Sequence, residues 1–450
     1  MSTTIAAIST PQGEGGIGTV RLSGENAAQI ADRVFTSVSG KKIADAKGYT
    51  ALLGKVGNGD GDIDEAVALI FVAPKSYTGE NVVELSVHGG ATVTRLLLRA
   101  VLDAGAVPAG AGEFTRRAYE NGKLDLAAAE SVMSIISAQG GQDLRLALAA
   151  KTGRISSEIA KIREKLLAVD AGMSVFADYP DEDLPEFDPE TIRESLSLVV
   201  DSLDTLLKNY DKGKILREGL SVAIIGAPNV GKSTLMNLLS GDNRSIVTPI
   251  AGTTRDIIEE SVRVGDLTLR LADTAGVRET GDAVEEIGVT LACERAKSAE
   301  LILAVFDSSR EMSEDDRKIL ALIGEGPAIA VINKTDLPQK LDDREIALEK
   351  VYISAKKGDD SALAAKIAEV VGTAELGADR AVLQSERQRA CAYRARQSVL
   401  EALDTLDSGY TLDAVGICAD EALSALLELT GERVTDAVAD EVFSRFCVGK

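Results

Sequence analysis

Apolar and polar positions along the chain change period several times. Up to about residue 120, short apolar runs alternate with Gly-rich turns, as in Ile17-Gly-Thr-Val-Arg-Leu22 and Val82-Val-Glu-Leu-Ser-Val87. These runs predict strands with one or two helices between them. From about 121 to 212 the apolar spacing becomes i, i+3, i+4, over Leu144 to Ile162 and Ile192 to Leu207, which predicts long helices. Asp178-Tyr-Pro-Asp-Glu-Asp-Leu-Pro185 interrupts them with two prolines. Beyond 217, short apolar strands alternate with helical stretches: Ser221-Val-Ala-Ile-Ile225, then Thr234-Leu-Met-Asn-Leu-Leu239, Leu267-Thr-Leu-Arg-Leu271, Ala328-Ile-Ala-Val-Ile332 and Val351-Tyr-Ile353. From 380 to 447 the pattern is helical again.

The pattern predicts a multidomain chain. An α+β domain spans 1–120, and an all-α helical domain comes in two sequence halves, 121–216 and 377–450. An α/β domain, 217–376, is inserted between them. Insertion at a loop requires only that the ends of the insert lie close together. Two separate helical domains are the alternative arrangement.

The inserted domain carries the chemistry. Gly226-Ala227-Pro228-Asn229-Val230-Gly231-Lys232-Ser233 fits GxxxxGK followed by Ser or Thr, between a predicted strand and the helix that opens at Thr234. In that setting backbone N–H groups surround phosphates, Lys232 reaches the outer phosphates, and the Ser233 hydroxyl holds Mg²⁺. Asp273-Thr274-Ala275-Gly276 follows the next strand. Its carboxylate can hold Mg²⁺ through water, and its glycine lets an N–H approach the terminal phosphate. Asn333-Lys334-Thr335-Asp336 follows another strand. Asp336 can accept from the ring N–H and the amine of guanine, a donor pair that adenine lacks. Ser354-Ala355-Lys356 can add a backbone contact to the base oxygen. Each short motif alone reads as an ordinary loop, but four in order on the ends of alternating strands resemble the Ras-like α/β P-loop GTPase fold.

Thr248-Pro249-Ile250-Ala251-Gly252-Thr253-Thr254 reads as the switch that closes on the γ-phosphate, a threonine hydroxyl completing the Mg²⁺ shell. Val277 follows Gly276 where Ras has a water-orienting Gln. Glu279, Asp282, Glu285 and Glu286 are candidates for that task, and as acids they also suit an exposed first helical turn. No arginine finger is evident, although Arg255 and Arg278 are near. The Asn229 amide oxygen could help to hold a monovalent cation in its place, or simply shape the loop.

Composition bounds the rest. The 450 residues are enough for two to four domains, and at 45% hydrophobic they can build a packed core. No apolar run approaches the ~20 residues of a membrane span, and no secretory signal pattern opens the sequence. Cys293, Cys391, Cys418 and Cys447 are scattered with no CxxC pair, which fits a reducing cytosol and argues against a structural zinc site. The single histidine, His88, excludes a multi-histidine centre. A net charge of −22 argues against broad nucleic-acid binding. A local basic patch remains possible: Arg380, Arg387, Arg389, Arg394 and Arg396. Arg380, Arg387 and Arg394 stand seven apart and would share a face of a continuous helix, meeting either RNA phosphates or nearby acids.

Further motifs carry a resemblance. The chain opens with Thr10-Pro-Gln-Gly-Glu-Gly-Gly-Ile-Gly-Thr-Val-Arg-Leu-Ser-Gly24 and closes on Phe446-Cys-Val-Gly-Lys450. Between lie Tyr77-Thr-Gly-Glu-Asn-Val-Val-Glu-Leu85, His88-Gly-Gly90, Gly112-Glu-Phe-Thr-Arg-Arg-Ala118 and Asn121-Gly-Lys-Leu-Asp-Leu126. With the GTPase motifs, these resemble the MnmE (TrmE) family of tRNA-modification GTPases over essentially the whole chain. The resemblance implies that the first domain binds 5-formyl- or methylene-tetrahydrofolate and forms a homodimer. Arg21, Glu84, Lys123 and Lys450 match the family's folate contacts. It implies a K⁺-dependent GTP hydrolase working in a heterotetramer with the flavoprotein MnmG (GidA). That complex adds an aminomethyl or carboxymethylaminomethyl group to C5 of the wobble uridine in certain tRNAs. K⁺ would fall to Asn229, Thr248, Ile250 and Thr253, and Mg²⁺ to Ser233 and Thr254. Water orientation would fall to Glu285, twelve residues after Asp273. Cys447 is a candidate for direct uridine chemistry, or a packing residue beside the folate. The expected location is cytoplasmic.

Two other readings start from the same residues. One is a GTP-switched ribosome-assembly or RNA-binding module like Era or EngA, which share the phosphate loop but flank it differently. The other is a folate enzyme of the glycine-cleavage kind with a regulatory GTPase and no tRNA.

Overall fold

The computed structural model describes residues 3–11, 13–59, 61–178, 189–241, 260–271, 299–323, 326–377 and 379–450. The chain forms two compact units. One comprises Met1–Met133, Ile159–Leu196 and Ala390–Lys450, the other Ser134–Glu158 and Ser197–Arg389.

The first unit is built on a seven-stranded sheet. Its strands are β1 (Ile5–Ile8), β2 (Gly15–Ser23), β3 (Phe35–Ser37), β4 (Thr50–Gly57), β5 (Asp62–Phe71), β6 (Val82–Gly89) and β7 (Val107–Pro108), in the order β3-β4-β5-β6-β2-β1-β7. Neighbours are antiparallel except β1 and β7. Helices Ala27–Val34 and Ala91–Asp103 bury Ile30, Ala31, Leu97 and Val101 against Val20, Leu22, Val83 and Leu85. Alternation then sends Arg21 and Glu84 to the opposite face, where the register pairs them directly. In the helical part of this unit, Leu126, Ala129 and Val132 pack on Ala439, Val442, Phe443 and Phe446. Phe443 lies between Tyr119 and Phe446, with ring centroids 6.1 and 5.5 Å away.

The second unit holds a six-stranded sheet: β8 (Leu220–Gly226), β9 (Glu260–Val264), β10 (Leu267–Leu271), β11 (Leu301–Asp307), β12 (Ala328–Asn333) and β13 (Glu349–Tyr352). Its order is β13-β12-β11-β8-β10-β9, all parallel except the edge strand β9. Every residue of β11 and β12 is buried, as strands covered on both faces require. The phosphate loop, Asn333-Lys334-Thr335-Asp336 and Ser354-Ala355-Lys356 follow β8, β12 and β13 at one end of the sheet, where parallel sheets place their ligands.

Two helical expectations change. The periodic stretch Leu144–Ile162 is two helices, Gly141–Lys151 and Arg154–Asp178. The chain turns between them, with Thr152 and Gly153 donating back to the Leu148 and Ala150 carbonyls. Apolar spacing can persist through such a turn, so periodicity alone did not register it. The last helical run begins only at Glu386, so Arg380 is not on the helix face shared by Arg387 and Arg394. Ser385 Oγ accepts the Gln388 N–H at 3.2 Å and caps the helix there. Arg389 lies 3.7 Å from Glu386 and 3.8 Å from Asp211, and Arg394 is 2.6 Å from Glu428. Arg389 and Arg394 thus meet acids, the ordinary alternative to a phosphate-binding face.

Phe443→Ala is expected to destabilise the protein by about 3–5 kcal/mol, read as a lower midpoint in thermal denaturation.

Candidate functional sites

The phosphate loop is shaped by bonds to its backbone carbonyls. Lys232, opening the helix Lys232–Ser240, donates to the Gly226 and Ala227 carbonyls at 2.7 and 2.8 Å. Burial lowers its ammonium pKa, so a phosphate is a better partner than the neutral carbonyls it now has. Asn333 Nδ2 donates to the Val230 carbonyl at 3.0 Å, and Lys334 Nζ to the Asn229 carbonyl at 2.7 Å. Asn333 is buried, and its Oδ1 also accepts the Ala355 N–H at 3.0 Å. One side chain therefore joins the loops after β8, β12 and β13. Gly231, at φ +97°, packs so closely that a Cβ would overlap Asn333 Nδ2.

Ser354 Oγ donates to Asp336 Oδ1 at 2.7 Å. This bond orients the exposed carboxylate and holds it below the usual acid range, ionised to accept a donor pair. Ser354 was expected to serve the base through its backbone, and its hydroxyl bond to Asp336 was not legible beforehand. Sequence reasoning also missed Asp307, the last residue of β11, which bonds Lys334 Nζ at 2.6 Å. Its only sequence signal is an acid closing a wholly apolar strand. Burial raises the Asp307 carboxyl, but Lys334 and the hydroxyl and N–H of Ser309 together leave it below the ordinary value.

Ser233 and Thr234 lie on the first turn of the same helix as Lys232, and Lys356 follows Ala355. Thr248, Pro249, Ile250, Ala251, Gly252, Thr253, Thr254, Asp273, Thr274, Ala275, Gly276 and Glu285 lie outside the described residues, as does Cys293. Among the described residues no group of three or more His, Cys, Asp or Glu could hold a metal ion. The Ser233 hydroxyl is a hard oxygen donor beside a phosphate cradle, which fits Mg²⁺ bound largely through a nucleotide.

In the first unit, Arg21 Nε bonds Glu84 Oε1 at 2.8 Å. The guanidinium lies 5.7 Å from the Tyr77 ring centroid and 5.6 Å from that of Phe114, and Nη1 donates to the Gly449 carbonyl at 3.4 Å. The terminal segment is held by a bridge between Val448 and Ala111 and by the Phe114 N–H, which donates to the Lys450 carbonyl at 3.1 Å. Arg21, Glu84 and the backbone of Lys450 thus come together. Lys123 makes none of these contacts; its Nζ donates to the Pro74 carbonyl at 3.1 Å. A carboxylate next to a guanidinium flanked by two rings suits a flat heterocycle with N–H donors, which is the fit a pterin requires. Cys447 is exposed, and its carbonyl accepts the Gly112 and Lys450 N–H groups at 3.4 and 3.3 Å. His88 is exposed and bonded to Asp64 at 2.9 Å, which raises its pKa. No described helix is long and apolar enough to cross a membrane.

Gly231→Ala is expected to abolish measurable GDP binding, because Asn333 is fixed at both ends and cannot yield. Titration with a fluorescent GDP analogue checks this. Asp336→Asn should weaken GTP by roughly a hundredfold while improving xanthosine triphosphate, which replaces guanine's amine with a carbonyl; competition binding reads the exchange.

A family model described as the MnmE helical domain matches residues 126–447, and one described as the GTP-binding protein TrmE N-terminus matches residues 4–123. The chain is 41% identical over 458 residues to a Geobacillus kaustophilus protein named tRNA modification GTPase MnmE, covering 99% of each. It is 40% identical over 458 residues to the protein of that name from Geobacillus thermodenitrificans, again covering 99% of each. Among solved structures, a variant of Aquifex aeolicus Era bound to GDP.AlF4- is 28% identical, covering 40% of this chain and 66% of that one. Its TM-score of 0.27 is too low to bear on the fold.

Proposed function

The chain belongs to the MnmE (TrmE) family of tRNA-modification GTPases, and from that premise we propose that it is a K⁺-dependent GTP hydrolase acting in wobble-uridine modification. The observation that carries the nucleotide half is the bond set joining Asn333 to Val230 and Ala355, with Asp336 oriented by Ser354. It supports phosphate binding by the loop Asn229–Thr234 and guanine recognition by Asp336.

In this reading Ser233 and Thr254 hold Mg²⁺, and Asn229, Thr248, Ile250 and Thr253 hold K⁺. The two cations would offset negative charge on the transferring phosphoryl group. Asp273 and Gly276 serve the metal water and the γ-phosphate. Glu285 orients the attacking water, in the place of the Gln that Val277 replaces. Pro249, Ala251, Gly252, Thr274 and Ala275 belong to the GTP-binding switch loops.

The first domain, 1–120, would bind 5-formyl- or methylene-tetrahydrofolate through Arg21, Glu84, Lys123 and Lys450 and make the homodimer. The helical domain, 121–216 and 377–450, would carry the inserted GTPase domain, 217–376, and place Cys447 beside the folate. With the flavoprotein MnmG (GidA) the dimer would form a heterotetramer in the cytoplasm. That complex would add an aminomethyl or carboxymethylaminomethyl group to C5 of the wobble uridine. The Era-like reading is not favoured, because the family match spans both flanks of the phosphate loop.

GTP hydrolysis in KCl is expected to exceed that in NaCl at equal ionic strength by roughly tenfold or more, and Glu285→Ala should remove that stimulation. Equal rates in the two salts would overturn the K⁺ assignment. A Glu285→Ala variant as fast as the wild type would overturn the role of Glu285 alone.

A further inference from the structure

We infer that Asp307 is a positioning residue for guanine-nucleotide binding, acting through Lys334 on the phosphate loop. The inference rests on the nucleotide reading above and adds a residue that no motif contains.

Asp307 ends β11 directly opposite Asn333, which ends β12. Its side chain is only 7% exposed. One carboxylate oxygen takes the Lys334 ammonium at 2.6 Å, and the other accepts the Ser309 hydroxyl at 2.6 Å and N–H at 2.9 Å. The acid is therefore fixed from both sides. Lys334, held by it, donates to the Asn229 carbonyl at 2.7 Å.

The effect on the loop follows from peptide planarity. In a trans peptide the carbonyl and the N–H point in opposite directions. Fixing the Asn229 carbonyl on Lys334 turns the Val230 N–H away from β12. Fixing the Val230 carbonyl on Asn333 does the same for the Gly231 N–H. Those are amides that a phosphate-binding loop must present together.

The backbone also marks this contact. Among the described residues, Tyr49, Asn229 and Lys334 are the non-glycine residues with left-handed φ, and the last two, at φ +63° and +62°, are bonded to each other. Such conformations persist where surrounding contacts over-determine them. A partly exposed lysine on its own would not supply that constraint, since its long side chain exchanges readily with water. The buried acid behind it does.

The test is binding of a fluorescent GDP analogue with Mg²⁺ to the full chain, comparing wild type, Asp307→Asn, Lys334→Met and the double variant. Asp307→Asn and Lys334→Met should each weaken binding by roughly tenfold, mostly through faster release. The double variant should bind no more weakly than Lys334→Met alone, because the acid acts through the lysine. A general loss of structure would lower the melting temperature and multiply the two defects. Asp307→Asn binding like wild type, or losses that multiply in the double variant, would overturn the inference. Should Asp307→Asn not fold, Ser309→Ala carries the test. It removes one of the two donors to that carboxylate oxygen, leaving the residue-309 N–H, and should cost about threefold in affinity; unchanged affinity there would overturn the inference equally. A wild-type chain that bound no GDP would instead sink the nucleotide reading, and this inference with it.

Discussion

The nucleotide site depends on where a few backbone carbonyls point. A peptide unit is rigid, so a donor that captures the carbonyl also aims the N–H on its far side. In this chain Lys334 captures the carbonyl of residue 229 and Asn333 that of 230. The loop amides are thereby arranged before any anion arrives. Preorganised dipoles of this kind need no reorganisation when charge appears between them, which is where their electrostatic advantage lies.

That arrangement is inherited from the sheet. Asp307 and Asn333 are paired at the ends of adjacent parallel strands, and every residue of both strands is buried. A slip in register would move these two residues out of line with each other and with β8, whose end launches the phosphate loop. Burial on both faces makes such a slip costly, because it disturbs packing on every row at once. The hydrophobic core (Leu303, Val305, Ile329 and Val331 among its members) therefore fixes the reach of the polar groups that close the loop.

Motifs whose parts lie within eight residues of one another were legible in the sequence, because each has a local reason for its spacing. The phosphate loop needs its glycines for backbone shape and its lysine one residue later, whatever the rest of the chain does. Alternating strands in the first domain were legible for the same reason, and so was the helical return after residue 380. Bonds between remote residues were not. Ser354 on Asp336, Lys334 on Asn229 and Arg21 on Gly449 are 18, 105 and 428 positions apart. Local breaks without proline were also hidden, as at Thr152–Gly153. The helix start at Ser385 could have been read from Ser385 and Gln388, a capping pair of the Ser-x-x-Gln kind.

The two sites share a device that no motif records. In the second unit a buried acid, Asp307, holds Lys334 on the carbonyl of left-handed Asn229. In the first unit Glu84 holds Arg21, which reaches the carbonyl of Gly449. A Cβ at Gly449 would overlap the Ile8 carbonyl, so the close approach of the terminal segment to β1 demands glycine there. Both chains run acid, cation, backbone carbonyl. A cation between an ionised acid and a carbonyl is a directional clamp: the acid removes its freedom, and the carbonyl takes its remaining donors. What is clamped differs: a loop of the sheet domain in the second unit, and the segment around Gly449 against Ala111 and Phe114 in the first. The phosphate loop is continuous with β8 and the helix Lys232–Ser240, so its clamp refines a shape the chain already favours. In the first unit the clamp acts together with the Ala111–Val448 bridge, the Phe114 and Gly112 N–H groups on the carbonyls of Lys450 and Cys447, and the packing of Phe443 and Phe446, so the placement of Gly449 rests on apolar contacts as well as on its polar ones.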